Sequence, residues 1–307
     1  MPLVYAAFMS PLLAAEPSAP ALVHYLPIAT TFISLVFLIA LVIRGRKVGW
    51  KPHMCWWAIG VATYGLGTGF ESVITLFGNS PALNTGWYWA GAILGGYPLA
   101  TGSVYLLMNR KVANILTTVT MVFVVLISVA VFLSPVDMSR LAAPVPAEFV
   151  GPISPFSVET SQFGGHRPGG AALEWSWVRA FTPLINTYAA VFLIGGAVYS
   201  SVRFLENGSK AQRRVAMTMD ALARFIPAIS IADLLMPRGS AVVWPRRAVG
   251  TALIALGALL PGIGGGMAKG GIVEALYIGE FFGLILIWIG YEQCIMPRRT
   301  AEPSAPV

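Results

Sequence analysis

The chain of 307 residues is 56% hydrophobic and only 11% charged, with a mean hydropathy of +0.73. Soluble domains carry roughly 25% charged residues, so this composition excludes an ordinary water-soluble globule. The net charge of +7 does not point to nucleic acid, because the basic residues are scattered between apolar runs instead of gathered on one face.

A membrane-crossing helix needs roughly 20 mostly apolar residues. Taken in order, seven runs meet that length, at 22–43, 55–77, 86–108, 112–133, 181–203, 248–267 and 271–294. The 21 residues before the first run hold Glu16 and no lysine or arginine. They read either as a short translocated tail or as a signal peptide lacking the usual basic start. Runs two and three are joined by an uncharged turn, Gly78 to Gly86, and Pro98 should kink run three.

Between runs four and five, residues 134–180 are rich in proline and glycine and keep no helical or strand period, which predicts an irregular loop. His166 lies there, with Glu159 and Glu174 near it in sequence, and reads as a solvated loop histidine. Trp175 and Trp177, just before run five, suit a membrane interface. Between runs five and six, the apolar stretch 215–236 is interrupted by Asp220, Arg224, Pro227 and Asp233. It reads as an amphipathic helix on the cytoplasmic surface, not as a further span. Residues 298–307 read as a disordered cytoplasmic tail that repeats the Glu-Pro-Ser-Ala-Pro of positions 16–20.

Orientation follows from the lysines and arginines. Sixteen of the twenty fall in the loops after runs one, three, five and seven, and Arg140, Arg167, Arg179 and Lys269 fall on the other side. Because positive loops stay in the cytoplasm, the N-terminus should be outside and the C-terminus inside, in a bacterial inner membrane.

Ionisable groups within spans are costly and therefore mark candidate function. Glu71 lies seven residues before the outer end of run two, and Glu280 nine residues after the outer start of run seven. At 1.5 Å per residue both sit about 10–14 Å below the outer boundary. Tyr64, Thr68 and Thr75 share a helical face with Glu71, and Glu274 and Tyr277 share one with Glu280. Burial should favour the protonated acids, which the hydroxyls could satisfy. One reading is a proton, cation or polar-ligand site; the other is structural glue between two helices.

Three Gly-x-x-x-Gly pairs, 65/69, 91/95 and 279/283, allow close helix contact. Runs two and seven are then expected to be antiparallel neighbours, since Cys55 and Cys294 also fall level near the inner side. At that rim His53, Cys55, Glu292 and Cys294 are donors of the kind zinc takes, though ordinary rim residues explain them as well. The chain has no His-Glu-x-x-His, no Gly-x-Ser-x-Gly and no phosphate-loop ending on its glycine run 262–270. With Lys269 at the mouth of run seven and no lysine inside it, a retinal Schiff base is not expected either.

The segments Trp-Tyr-Trp-Ala-Gly-Ala-Ile-Leu-Gly (87–95), Thr-Gly-Ser-Val-Tyr-Leu-Leu (101–107) and Ala-Leu-Ile-Ala-Leu-Gly-Ala-Leu-Leu-Pro-Gly-Ile-Gly-Gly (252–265) resemble a group of uncharacterised bacterial multi-pass proteins. Trp57 to Glu71 followed by Trp87 is similar to the seven-helix sensor module ahead of bacterial histidine kinases. The second resemblance implies signalling, although no kinase domain is present here.

The sequence thus predicts an all-α integral membrane bundle of seven transmembrane helices. Its leading function is that of a sensor-like or accessory protein, without enzymatic activity or cofactor. Besides membrane lipid around it, it would bind a small apolar or cationic ligand, or a membrane protein partner, in the helix bundle. The alternative is a proton- or cation-coupled transporter or channel using Glu71 and Glu280.

Overall fold

The computed structural model describes residues 22–137, 168–206, 246–269 and 272–295. The surface helix expected at 215–236, both tails, and His166 with most of its loop lie outside these residues. Among the described residues the fold is all helical, with no strand and one isolated antiparallel bridge, Val136 to Leu173.

A 3-10 turn, Leu22–Tyr25, leads into α1 (Leu26–Val48). Helix α2 (Pro52–Phe77) starts with proline, which suits a first helical turn because that nitrogen needs no intrahelical partner. It ends at Gly78, whose φ of 87° belongs to the left-handed region that glycine enters without strain. The turn is shorter than expected. Ser80 accepts a hydrogen bond from the Leu83 nitrogen and Pro81 follows it, so α3 (Pro81–Trp87) begins at once.

The chain then passes through a π-helical segment, Tyr88–Ile93, and a bend at 94–96 before α4 (Tyr97–Leu107). Pro98 therefore sits in the first turn of a new helix, and the expected kink is a break. Helix α5 (Arg110–Leu133) is capped by Asn109 through the Val112 nitrogen. Then come α6 (Ser176–Ala180), α7 (Thr182–Ala189), a second π segment (Ala190–Gly195) and α8 (Gly196–Glu206). The fold ends with α9 (Arg246–Lys269) and α10 (Val273–Ile295).

Among the described residues, six helical stretches are long and apolar enough to cross a membrane: Leu22–Val48, Pro81–Leu107, Arg110–Leu133, Ser176–Leu205, Arg246–Ala268 and Val273–Ile295. This is a membrane protein. Helix α2, the second expected span, is not among the six. Its 26 residues would reach about 39 Å, but no 18-residue stretch of it attains the mean hydropathy of 1.2 found in the least apolar of the six. Its position accounts for this. Helix α2 packs against α1, α3, the first π segment and α4, so much of its surface meets protein and can carry Tyr64, Thr68 and Glu71. By contrast α5 exposes Ile115, Val119, Val122, Leu126 and Phe132, the pattern of a helix facing lipid.

The tightest pair is α9 with α10. Gly250 meets Gly290, Gly257 meets Gly283, and Gly264 meets the Ala275 carbonyl. A Cβ on Gly257 would come within 2.5 Å of the Gly283 oxygen, so only glycine lets the two backbones approach this far. The seven-residue spacing of 250, 257 and 264 keeps these positions on one face. Two buried clusters complete the interior. One joins Phe37, Leu41, Val61, Leu99, Leu284, Ile287 and Tyr291, and the other Tyr88, Ile93, Tyr97, Val124, Ile127 and Val131.

Candidate functional site

The Glu71 and Glu280 side chains meet within hydrogen-bonding reach inside the bundle. Glu71 is 1% exposed, and its Oε1 accepts a hydrogen bond of 2.7 Å from the Trp87 indole Nε1. Glu280 keeps some side-chain exposure, yet its Oε2 is sealed. Neither Oε2, of Glu71 or of Glu280, finds an N–H or O–H donor in the protein. Two ionised carboxylates would repel each other in this low-dielectric setting, whereas one proton between them turns the contact into a charge-assisted hydrogen bond. The pair can therefore hold a proton, or a small cation in its place.

The acids arrive there by the register of two helices that scarcely touch through their backbones. Helix α1 packs against both α2 and α10 and holds them apart. The link is made by long side chains: the Tyr64 hydroxyl donates to the Glu280 carbonyl oxygen at 2.9 Å, and the Trp57 and Tyr291 rings meet edge to face at 6.1 Å. The glycine pairs on these helices serve other contacts. Gly65 lies on Ser34 and Gly69 near Thr31, both of α1. Gly279 and Gly283 lie on Leu260 and Pro261 of α9. Of the third pair, Gly91 packs on Gly67, while a Cβ at Gly95 would strike the Gly91 carbonyl of the preceding π segment.

The other expected residues divide. Thr68 does not reach the acids; its hydroxyl accepts from Thr31 at 2.9 Å and tightens the α1–α2 seam. Tyr277 is fully buried and packs edge to face on the His24 ring at 5.9 Å. Glu274 Oε1 lies 3.4 Å from His24 Nε2. Two participants were not foreseen. Trp87 lies 16 residues beyond Glu71 across a tight turn, and that turn was the available signal. His24 lies 250 residues from Glu274, a separation no local pattern bridges.

The possible zinc donors do not converge. The His53 ring packs on Trp57, Cys294 Sγ lies 3.9 Å from the Arg247 carbonyl of α9, and Glu292 accepts from Trp288 within α10. Among the described residues no three His, Cys, Asp or Glu side chains gather as a metal site. Cys294 turns to α9 because Gly250 leaves room there for its sulfur.

No family model, curated protein or solved structure matches the chain. The site must be read from its own geometry. A sideways groove of about 450 Å³, lined by Trp56, Trp89, Tyr97, Pro98, Met121 and Phe132, is almost wholly apolar, and neither acid lines it. It suits lipid chains and is separate from the acid pair.

Proposed function

We propose that the chain is a seven-span bacterial inner-membrane protein, N-terminus outside, that binds a small cationic ligand between Glu71 and Glu280. In the simplest case that ligand is a proton. The reading is of a sensor-like or accessory protein without catalytic activity, in which loss or gain of the proton changes how α2 and α10 are held together. The observation that carries it is the contact between two carboxyls whose Oε2 atoms have no N–H or O–H donor in the protein. Helix α2 would be the seventh span, sheltered from lipid by its neighbours.

Trp87 supplies the test, since its indole bonds directly to Glu71. Tryptophan emission of the full chain in lipid nanodiscs is expected to change with pH, and Trp87→Phe or Glu280→Gln should abolish that change. Emission that follows pH identically in Glu280→Gln would overturn the reading. Reporter fusions after Arg110 and after Arg299 should both report cytoplasm; an outside signal at either would refute the topology.

A coupled transporter is the second reading. It is favoured by helices interrupted near mid-length, at the bend 94–96 and at the π segment Ala190–Gly195, where Ala189 packs on Gly96. Proteoliposomes holding a pH gradient separate the two. The sensor reading expects wild type to dissipate the gradient no faster than Glu280→Gln. A transporter would dissipate it faster.

A further inference from the structure

We propose that the sideways groove holds one acyl chain of an anionic phospholipid, whose phosphate is bound at the turn between α4 and α5 by Arg110 and Asn114. This is independent of the acid pair, which does not line the groove. The groove lies against the break at 94–96: α2 lends it Trp56 and Ile59, α5 lends it Met121 and Phe132, and Leu94 and Pro98 flank the break. Its exposed wall is almost wholly apolar because polar side chains there bond within the protein. Trp89 Nε1 donates to Ser128 Oγ at 3.0 Å, Thr63 Oγ1 donates to the Gly60 carbonyl at 3.1 Å, and the Tyr97 hydroxyl meets that of Thr120 at 3.0 Å. The occupant is therefore hydrocarbon.

Its dimensions decide between a chain and a helix. From Met121 to Leu133 the groove follows α5 for about 18 Å. Spread over that length, a volume of about 450 Å³ gives a channel about 5 Å across. One hydrocarbon chain fits there. A helix from a second copy, about 10 Å wide, does not.

Charge complementarity then selects the lipid. Met121, Val125, Ser128 and Phe132 line the groove and fall on one stripe of α5, and that stripe runs back through Thr117 and Asn114 to Arg110. On α4, Pro98 lines the groove and Tyr105 lies two turns further along the same face. The two stripes meet at the turn, where the Tyr105 hydroxyl donates to Asn114 Oδ1 at 3.0 Å and the Arg110 guanidinium stands over the Tyr105 ring at 5.5 Å. That bond uses the Asn114 acceptor and leaves its N–H donors for an anion. Arg110 and Lys111 are exposed and have no acidic partner among the described residues. From Ser72 to Val136 the chain holds no aspartate or glutamate to neutralise them. A guanidinium beside amide donors suits a phosphate, and basic pockets between spanning helices are where anionic head groups bind. Asn114 lies seven residues from Met121, about 10 Å along α5, which leaves room for glycerol and ester groups between phosphate and chain.

Trp56 lines the groove, so bromine on a chain inside it quenches that indole. The full chain is placed in phosphatidylcholine nanodiscs containing increasing fractions of phosphatidylglycerol or phosphatidylcholine brominated along the chains. The difference in emission between wild type and Trp56→Phe isolates the groove. Quenching is expected to saturate, with the phosphatidylglycerol effective at a mole fraction about tenfold lower than the phosphatidylcholine. Arg110→Gln should reduce that preference about fivefold, the scale of one basic residue at an anionic head group. Arg110→Lys, which keeps the charge, should retain most of it. Val125→Phe, which narrows the groove, should weaken both lipids alike. Quenching that follows bulk lipid composition equally for both head groups would mean ordinary boundary lipid and overturn the site. A preference untouched by Arg110→Gln, or lost equally in Arg110→Lys, would overturn the role of the charge. A dimer in which Trp56 is shielded from both lipids would put a second copy over the groove and also refute the proposal.

Discussion

The two ends of α10 are made of different material although both pack into the same junction. Its first half presents Glu274, Tyr277 and Glu280 to His24, Tyr64 and Glu71. Its second half presents Leu284, Ile287, Trp288 and Tyr291 to Phe37, Leu41 and Trp57. Within lipid an unpaired polar group is costly, so the bonds from Tyr64 to the Glu280 carbonyl and from Trp87 to Glu71 hold the first half, while shape holds the second. A region held by shape is indifferent to pH. A region held by two acids is not. That contrast is why the polar half is the candidate for function and the apolar half for the foundation it stands on.

Three substitutions sharpen the contrast. The largest effect belongs to the apolar half: Phe37→Ala removes a ring 2% exposed and should cost about 3 kcal/mol. It should lower the thermal midpoint in detergent while leaving the pH response of Trp87 in place. Loss of that response together with stability would show that the halves are not separable. Trp87→Phe comes next. It deletes the 2.7 Å bond to Glu71 and should cost about 1–2 kcal/mol, with a stability loss that varies with pH, since Glu71 is left without its indole donor. A loss constant across pH would detach Trp87 from the acids. Tyr64→Phe, at the border, deletes one bond to a backbone carbonyl and should cost about 1 kcal/mol, equally at all pH values.

Much of this was legible in the sequence, and the failures have physical causes. Helical class and most run boundaries follow from apolar length, because the bilayer sets that length for any spanning helix. The matched depth of Glu71 and Glu280 followed from rise per residue alone, and the structure brings them into contact. The same reasoning failed for Cys55 and Cys294. Level positions fix height but not azimuth, and Gly250 draws Cys294 towards α9. Azimuth also misled over the glycine pairs, which join α2 to α1 and α10 to α9 and do not join the acid-bearing helices to each other. The π segments at 88–93 and 190–195 leave no mark on a 3.6-residue period, so the breaks they introduce could not be seen. The early start of α3 could have been seen. Ser80 followed by Pro81 is a capping signature, but hydropathy drew the boundary at the first strongly apolar residues.

The central claim, that Glu71 and Glu280 share a proton, is tested most directly by infrared difference spectroscopy of the carboxyl C=O stretch at neutral pH. Comparison of wild type with Glu71→Gln and Glu280→Gln isolates the pair. The account predicts a protonated carboxylic acid band in wild type that is altered by either substitution, together with one ionised carboxylate. Two ionised carboxylates at neutral pH, or a protonated band that neither substitution touches, would contradict it.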